Sequence, residues 1–136
     1  MSAEERVEVV DPDGRVERVT TRADMRAANL RHRATYVVVQ RANGDVLVHQ
    51  RAAWKDIWPS RWDIAFGGVC SVGEGWLESA TRELAEEAGI HAELVDRGPI
   101  VYESDETRVV GRVFVATHDG PFTFADGEVT ATEWVP

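Results

Sequence analysis

A chain of 136 residues with 43% hydrophobic and 29% charged residues has the make-up of one globular domain, long enough to bury a proper core. Its formal net charge of −9 argues against binding polymeric nucleic acid, whose phosphates need Lys and Arg, but not against a small phosphorylated ligand neutralised by a cation. The lone cysteine, Cys70, excludes an internal disulfide framework, the acidic N-terminus lacks a secretory h-region, and no apolar run is long enough to span a membrane, so the expected compartment is the cytoplasm.

In chain order, residues 7–19 read as a hairpin turning at Asp11-Pro12-Asp13-Gly14. Residues 21–30 form a short helix capped by Thr21 or Thr20. Residues 34–40 and 45–50 are strands joined through Asn43-Gly44, and the run from Tyr36 to Val39 predicts a strand covered on both faces. An irregular loop over 51–61 leads to a short strand over 62–66, which Gly67-Gly68 is expected to end while letting other groups approach the backbone. The helix over 76–88 places Leu77, Ala80, Leu84 and Ala88 on one stripe, with Gly89 and Ile90 closing it. Strand material follows up to about residue 104, then over 107–118 and 131–135, with a loop over 120–128 between the last two. Strands interrupted by one firm helix predict an α+β fold, a mixed sheet flanked by helices in an α/β/α sandwich.

The end of that helix is electrostatically odd. Glu83, Glu86 and Glu87 share a face, at about 100° per residue. A solvated charged face is the ordinary explanation. Against it, like charges three and four apart repel by a few tenths of a kcal/mol per pair. Anions in the last turn also oppose the macrodipole, by about 0.3–1 kcal/mol each. A hard divalent cation reverses both penalties and bridges carboxylates to phosphates. Ser71 and Glu74 match a capping box, and Arg82 reads either as an exposed helix residue or as the partner of a carboxylate.

The spacing from Gly68 through Glu74 to Arg82-Glu83-Leu84-Ala85-Glu86-Glu87-Ala88-Gly89-Ile90 resembles the Nudix box without a departure. Seven fixed identities, each roughly a one-in-fifteen event, do not coincide by chance. The resemblance implies a loop–helix–loop metal site and hydrolysis of a nucleoside diphosphate linked to another group. It implies Glu83, Glu86 and Glu87 as ligands of Mg²⁺ or Mn²⁺, joined by the Gly68 carbonyl, and Glu74 with Arg82 as the ion pair that ties loop to helix. A box carboxylate or a loop carboxylate then serves as general base: Glu87, Glu86 or Glu128, with Asp105 and Glu106 as weaker candidates. A homodimer is compatible with it. Members of the family usually continue beyond the position of Trp134-Val135-Pro136 into a C-terminal helix, so that helix is either short here or outside this sequence.

A second resemblance extends over most of the chain. His32-Arg33-Ala34, Asn43-Gly44, Gln50-Arg51, Lys55-Asp56, Pro59 and Trp62-Asp63 are similar to the isopentenyl-diphosphate-isomerase-like branch. It implies phosphate contacts from Arg51 and Lys55, which suit a planar fork and a point charge. Isomerase is the main rival activity. The isomerase's cysteine position is Gly67 here and its neighbouring histidine position is Val69, while Cys70 reads as a small buried residue and His32 as structural. A nucleotide-binding module without catalysis is the other alternative, although such modules usually lose box carboxylates. Trp54, Trp58, Trp62 and Phe122 are stacking or packing groups. The diphosphate substrate itself is not legible.

Overall fold

The computed structural model describes residues 4–55, 58–124 and 129–136. β1 (Arg6–Val10) and β2 (Val16–Thr21) form the first hairpin. Its turn is held where Asp11 Oδ1 accepts from the Asp13 and Arg15 N–H groups, each at 2.9 Å. Thr21 caps α1 (Arg22–Ala27), its hydroxyl accepting from Asp24 N–H at 3.2 Å. α1 drops Met25 into a small core with Val7, Val69 and Leu30.

β3 (Arg31–Gln40) is the hub. It pairs in parallel with β8 (Arg108–Thr117) over its whole length. On its other side it meets β6 (Ala65–Val69) from Ala34↔Val69 to Val38↔Ala65, touches β1 at Val9↔His32, and turns into β4 (Val46–Arg51) at Gln40↔Val46. β7 (Leu94–Glu103) extends the sheet beyond β8, with a register shift between Asp96 and Gly98. β4 carries β5 (Trp62–Asp63) and β9 (Val129–Val135), both antiparallel. The result is a mixed sheet with helices packed against it, an α+β sandwich. No described helix is long and apolar enough to cross a membrane.

α2 (Trp76–Ala88) packs on β3 and β6. Gly89 ends it in the left-handed region at φ 67°, donating to Ala85 O at 3.1 Å. Ala80, Leu84 and Ala88 are buried as the stripe predicts, against Val37, Val39, Phe66 and Phe114. Leu77 is not part of that stripe: it is 55% exposed, and Ser79 is buried, donating or accepting with Thr35 Oγ1 at 3.1 Å. The helix is rotated so that Ser79, not Leu77, joins Ala80, Leu84 and Ala88 against the sheet. The capping-box reading also needs revision. The N-cap is Gly75, with no side-chain cap, and Glu74 instead accepts from Ser71 N–H in the turn just before the helix.

The glycine pair does not end its strand. A short kink at Ile64 separates β5 from β6, and β6 runs through Gly67-Gly68 to Val69. What the glycines supply is close approach. A Cβ on Gly67 would sit 1.9 Å from the Thr35 carbonyl oxygen, an atom locked in the β3 backbone. Gly67→Ala is therefore expected to lower stability by about 1–3 kcal/mol, through backbone displacement. A urea midpoint equal to wild type would contradict the β3–β6 register.

One histidine bears on stability. His49, almost fully buried, stacks on Phe66 with ring centroids 4.1 Å apart, and its Nδ1 has no hydrogen-bond partner among the described residues. Phe66, Phe124, Phe122 and Trp134 continue the aromatic row, so Phe122 is a packing group. Burial above all pushes the His49 pKa from 6.5 down to about 4; Arg51 and Lys55 add to this and Asp63 opposes it. The unfolded chain thus takes up this proton near pH 6.5 and the native chain only near pH 4, so stability is full above pH 6.5 and is lost as pH falls through that window. His49→Leu is expected to flatten the dependence, by about 2–3 kcal/mol between its ends. Urea midpoints near pH 7 and near pH 4 decide it: an unchanged slope would show that other groups cause it.

Candidate active site

Helical spacing brings Arg82, Glu83, Glu86 and Glu87 to the last turns of α2, beside the β6 glycines. Arg82 is the centre of the cluster. Its Nε and Nη2 donate to the two oxygens of Glu74 at 2.7 and 2.9 Å, a bidentate fork. Its Nη1 lies 3.0 Å from Glu83 Oε1 and 3.1 Å from Glu86 Oε2. The fork holds the Glu74 carboxyl below its ordinary range, against the opposing effect of burial, and raises the Arg82 pKa. Glu74 and Glu83 are nearly buried, at 8% and 7% exposure, so the clasp joins the pre-helix loop to the helix in a partly dry setting. Glu87 Oε2 accepts from Gly67 N–H at 2.9 Å. Gly68 faces Glu83: a Cβ there would lie 2.9 Å from Glu83 Oε1.

Gly67, Gly68, Arg82, Glu83, Glu86 and Glu87 line a cleft of about 360 Å³. Its floor comes from alternate residues of β3, His32, Ala34 and Tyr36, while Thr35, Val37 and Val39 face α2. The same cleft is lined by Arg51, Lys55, Trp58 and Asp63, and by Arg22 and Arg26 of α1. Arg26 is positioned by a 3.1 Å bond from its Nη1 to Thr107 Oγ1. Burial, aided by Asp63, pushes the Tyr36 phenol up to about 12, so it stays protonated and able to donate. The cleft thus sets cations against carboxylates in a chain whose net charge is −9.

Of the residues singled out in the sequence, Gly68, Arg82, Glu83, Glu86, Glu87, Arg51 and Lys55 all line this cleft, and Glu74 is tied to it through Arg82. Asp105 and Glu106 are not among the lining residues; they lie in the β7–β8 turn. Glu128 and Asp56 fall outside the described residues. Cys70 is buried, and burial pushes its thiol up, as an inert small residue requires. His32 is buried, with Nδ1 3.0 Å from the Leu30 carbonyl, and also faces the cleft. Arg22 and Arg26 were not singled out, and Tyr36 and Asp63 were named only for a strand and for the second resemblance, without a site role. The period-2 alternation of β3 and the four-residue spacing of Arg22 and Arg26 were available signals, but neither says what the strand or helix faces.

Among the described residues, no three acidic, histidine or cysteine side chains converge on one point. Arg82 holds Glu83 and Glu86, and Gly67 N–H holds Glu87. The donor set still fits a hard divalent ion in its chemistry: three carboxylates from one helix lining one cleft, and a residue without Cβ where a side chain would crowd Glu83.

The comparisons with known proteins give the family. The family model described as NUDIX domain matches residues 30–136. The chain is 39% identical over 130 residues to an uncharacterized Nudix hydrolase of Yersinia pestis, covering 95% of this chain and 71% of that protein. It is 38% identical over 136 residues to the uncharacterized Nudix hydrolase YfcD of Escherichia coli K12, covering 99% and 76%. Among solved structures it is similar in fold to DR0079 of Deinococcus radiodurans, with a TM-score of 0.84 at 20% identity over 96% of this chain and 83% of that one. It also resembles a MutT protein of Methanosarcina mazei, with a TM-score of 0.70 at 23% identity over 77% and 76%. With the box on α2, the family match over most of the chain and relatives aligned nearly end to end, this chain belongs to the Nudix family and is a Nudix-type hydrolase.

Proposed function

We propose that the protein hydrolyses a diphosphate linkage in a nucleoside-diphosphate-type small molecule, by attack of water on phosphorus, with Mg²⁺ as cofactor and Mn²⁺ as its substitute. The observation that carries this is the placement of the box carboxylates and of Arg51 and Lys55 in the lining of one cleft. Glu83, Glu86 and Glu87 with the Gly68 carbonyl would hold the cation. When bound, it supplies charge neutralisation for the diphosphate and lowers the pKa of water. Arg51 and Lys55 hold phosphate oxygens and fix the substrate beside the carboxylates. Glu87 takes the water's proton. Its Oε2 is anchored on Gly67 N–H, which orients the carboxylate towards the cleft. Glu86 and Glu128 are the alternatives for that role. Arg82 and Glu74 keep α2 and the preceding loop in register.

Isomerase chemistry is disfavoured by the backbone at Gly67. A side chain at that position, where the isomerase carries its cysteine, would collide with the Thr35 carbonyl. The cytoplasm, from the lone cysteine, and a homodimer, from the resemblance, belong to the same proposal. The test is product analysis with Mg²⁺ on nucleoside diphosphates, nucleotide sugars, dinucleotide cofactors and coenzyme A derivatives, in ¹⁸O-water, with isopentenyl diphosphate alongside. Label in the phosphate product supports the proposal. Allylic isomerisation would replace it with the isomerase, and binding without turnover of any compound would replace it with a binding module.

A further inference from the structure

Glu8 lies ahead of the stretch that the family model matches, yet it is connected to the box through Arg33. Alternation along β3 sends His32 and Ala34 into the cleft and Arg33 to the other face, where Thr35 meets α2. There Arg33 is a cation at the unfavourable end of a helix. Its guanidinium lies 4.9 Å from the centre of the ring of Trp76, the first residue of α2, where the macrodipole opposes positive charge. Its side chain is only 11% exposed, so the charge also needs partners. Nη2 donates to both of them: Glu8 Oε1 of β1 at 2.8 Å and the Glu74 carbonyl oxygen at 2.7 Å. Glu74 stands in a backbone with little restraint of its own. Gly73 precedes it at φ 74°, and Gly75 follows it as an N-cap without a side-chain bond; a Cβ added at either glycine would meet nothing within 4 Å. Beyond its turn with Ser71, this loop is held from outside. Arg82 holds the Glu74 carboxylate and Arg33 its carbonyl, so two cations fix one residue from two ends. The same Arg82 orients Glu83 and Glu86. Direct contacts therefore run from Glu8 through Arg33, Glu74 and Arg82 to two of the box carboxylates.

We infer that Arg33, held by Glu8, is a positioning residue for the box: it fixes the Glu74 loop and, through the Arg82 clasp, sets how well Glu83 and Glu86 receive a divalent cation. The effect on the cation rests on the metal reading above; the hold on the loop does not. The test uses the full chain with Mn²⁺ alone as the probe, its binding measured by calorimetry, and amide exchange over residues 71–77 measured in chelator. Arg33→Met is expected to speed that exchange and to weaken Mn²⁺ binding about three- to tenfold, at or below the lower end of the range for removing a direct partner of a ligand. Glu8→Gln, which leaves Arg33 in place, should do the same to a smaller degree. Arg33→Lys, whose ammonium can donate to both oxygens, should stay within about twofold of wild type. In a Glu74→Gln background, Arg33→Met should change Mn²⁺ affinity by less than about twofold, because the path is already cut. Asp96→Asn, which breaks an ion pair with Arg112 outside the path, should change neither readout. Unchanged exchange in Arg33→Met overturns the inference. So does faster exchange with wild-type Mn²⁺ affinity, which marks a support of the fold alone, and so does a full Arg33→Met effect in the Glu74→Gln background. Where Arg33→Met does not fold, Glu8→Gln decides by the same two readouts. The two readings fail separately: no Mn²⁺ binding by wild type, with faster exchange in the variants, removes the metal reading and leaves the hold on the loop. Mn²⁺ binding that ignores Arg33 and Glu8 removes the positioning role and leaves the metal reading.

Discussion

Glu87→Gln is expected to lower kcat by about 10²–10⁴-fold, the range that a positioned general base contributes. Glutamine keeps the shape and still offers an oxygen to the Gly67 N–H, so the loss reports the charge and basicity of the carboxylate, not the hydrogen bond. Stability should hold or rise slightly in the absence of metal. The substitution removes one of three like charges at three- and four-residue spacing, each pair worth a few tenths of a kcal/mol, and one anion from a helix C-terminus. The measurements are kcat across a Mg²⁺ series and a thermal melt in chelator. Unfolding of the metal-free variant would show that Glu87 supports the fold and that its place in the box is structural. Full activity would move the base to Glu86 or Glu128.

Arg82→Met is expected to cost about 3 kcal/mol of stability at neutral pH, because it strands Glu74 and Glu83 without a counter-charge in nearly buried positions. The estimate sits at the lower end for a buried pair because the Arg82 side chain is itself 29% exposed and water screens part of the interaction. The pH dependence has a definite sign. Arg82's hydrogen bond holds the Glu74 pKa below 4.5, so its contribution is complete above that value and is lost as pH falls through the lowered native pKa. The gap between wild type and variant should therefore close in acid. Adding Glu74→Gln to Arg82→Met should recover part of the loss, since one stranded charge becomes neutral. Denaturant midpoints at neutral and acidic pH measure both effects; a pH-independent gap would mean that lost packing of the Arg82 stem, not charge, causes it.

The contrast between these two residues shows what local spacing can reveal. The span of α2 and its stop at Gly89 follow from capping chemistry and period, which act within a few residues. The carboxylates at one end of α2 follow from the same period, and their mutual repulsion is computable without knowing the fold. The strand that carries Gly67 and Gly68 is a different matter. Glycine reads locally as a break, but the Thr35 carbonyl and the Glu83 carboxylate that need the space come from β3 and α2, distant along the chain. Leu77 failed for a related reason: the periodic stripe names candidates for burial, and the sheet took Ser79 in its place.

The amino-acid sequence by itself determined the family box, the reaction class that goes with it, and the helix that displays its glutamates, because all of these are written in spacings shorter than a few turns. Folding in three dimensions settled the rest of the cleft. Arg22 and Arg26 from α1, Tyr36 from β3 and Trp58 from the loop between β4 and β5 reach one cleft only because β1, β6 and β8 pair with β3 while β4 joins β3 to β5. No local pattern encodes that meeting; it depends on pairings between segments far apart in the chain, whose register is set by the burial of whole faces.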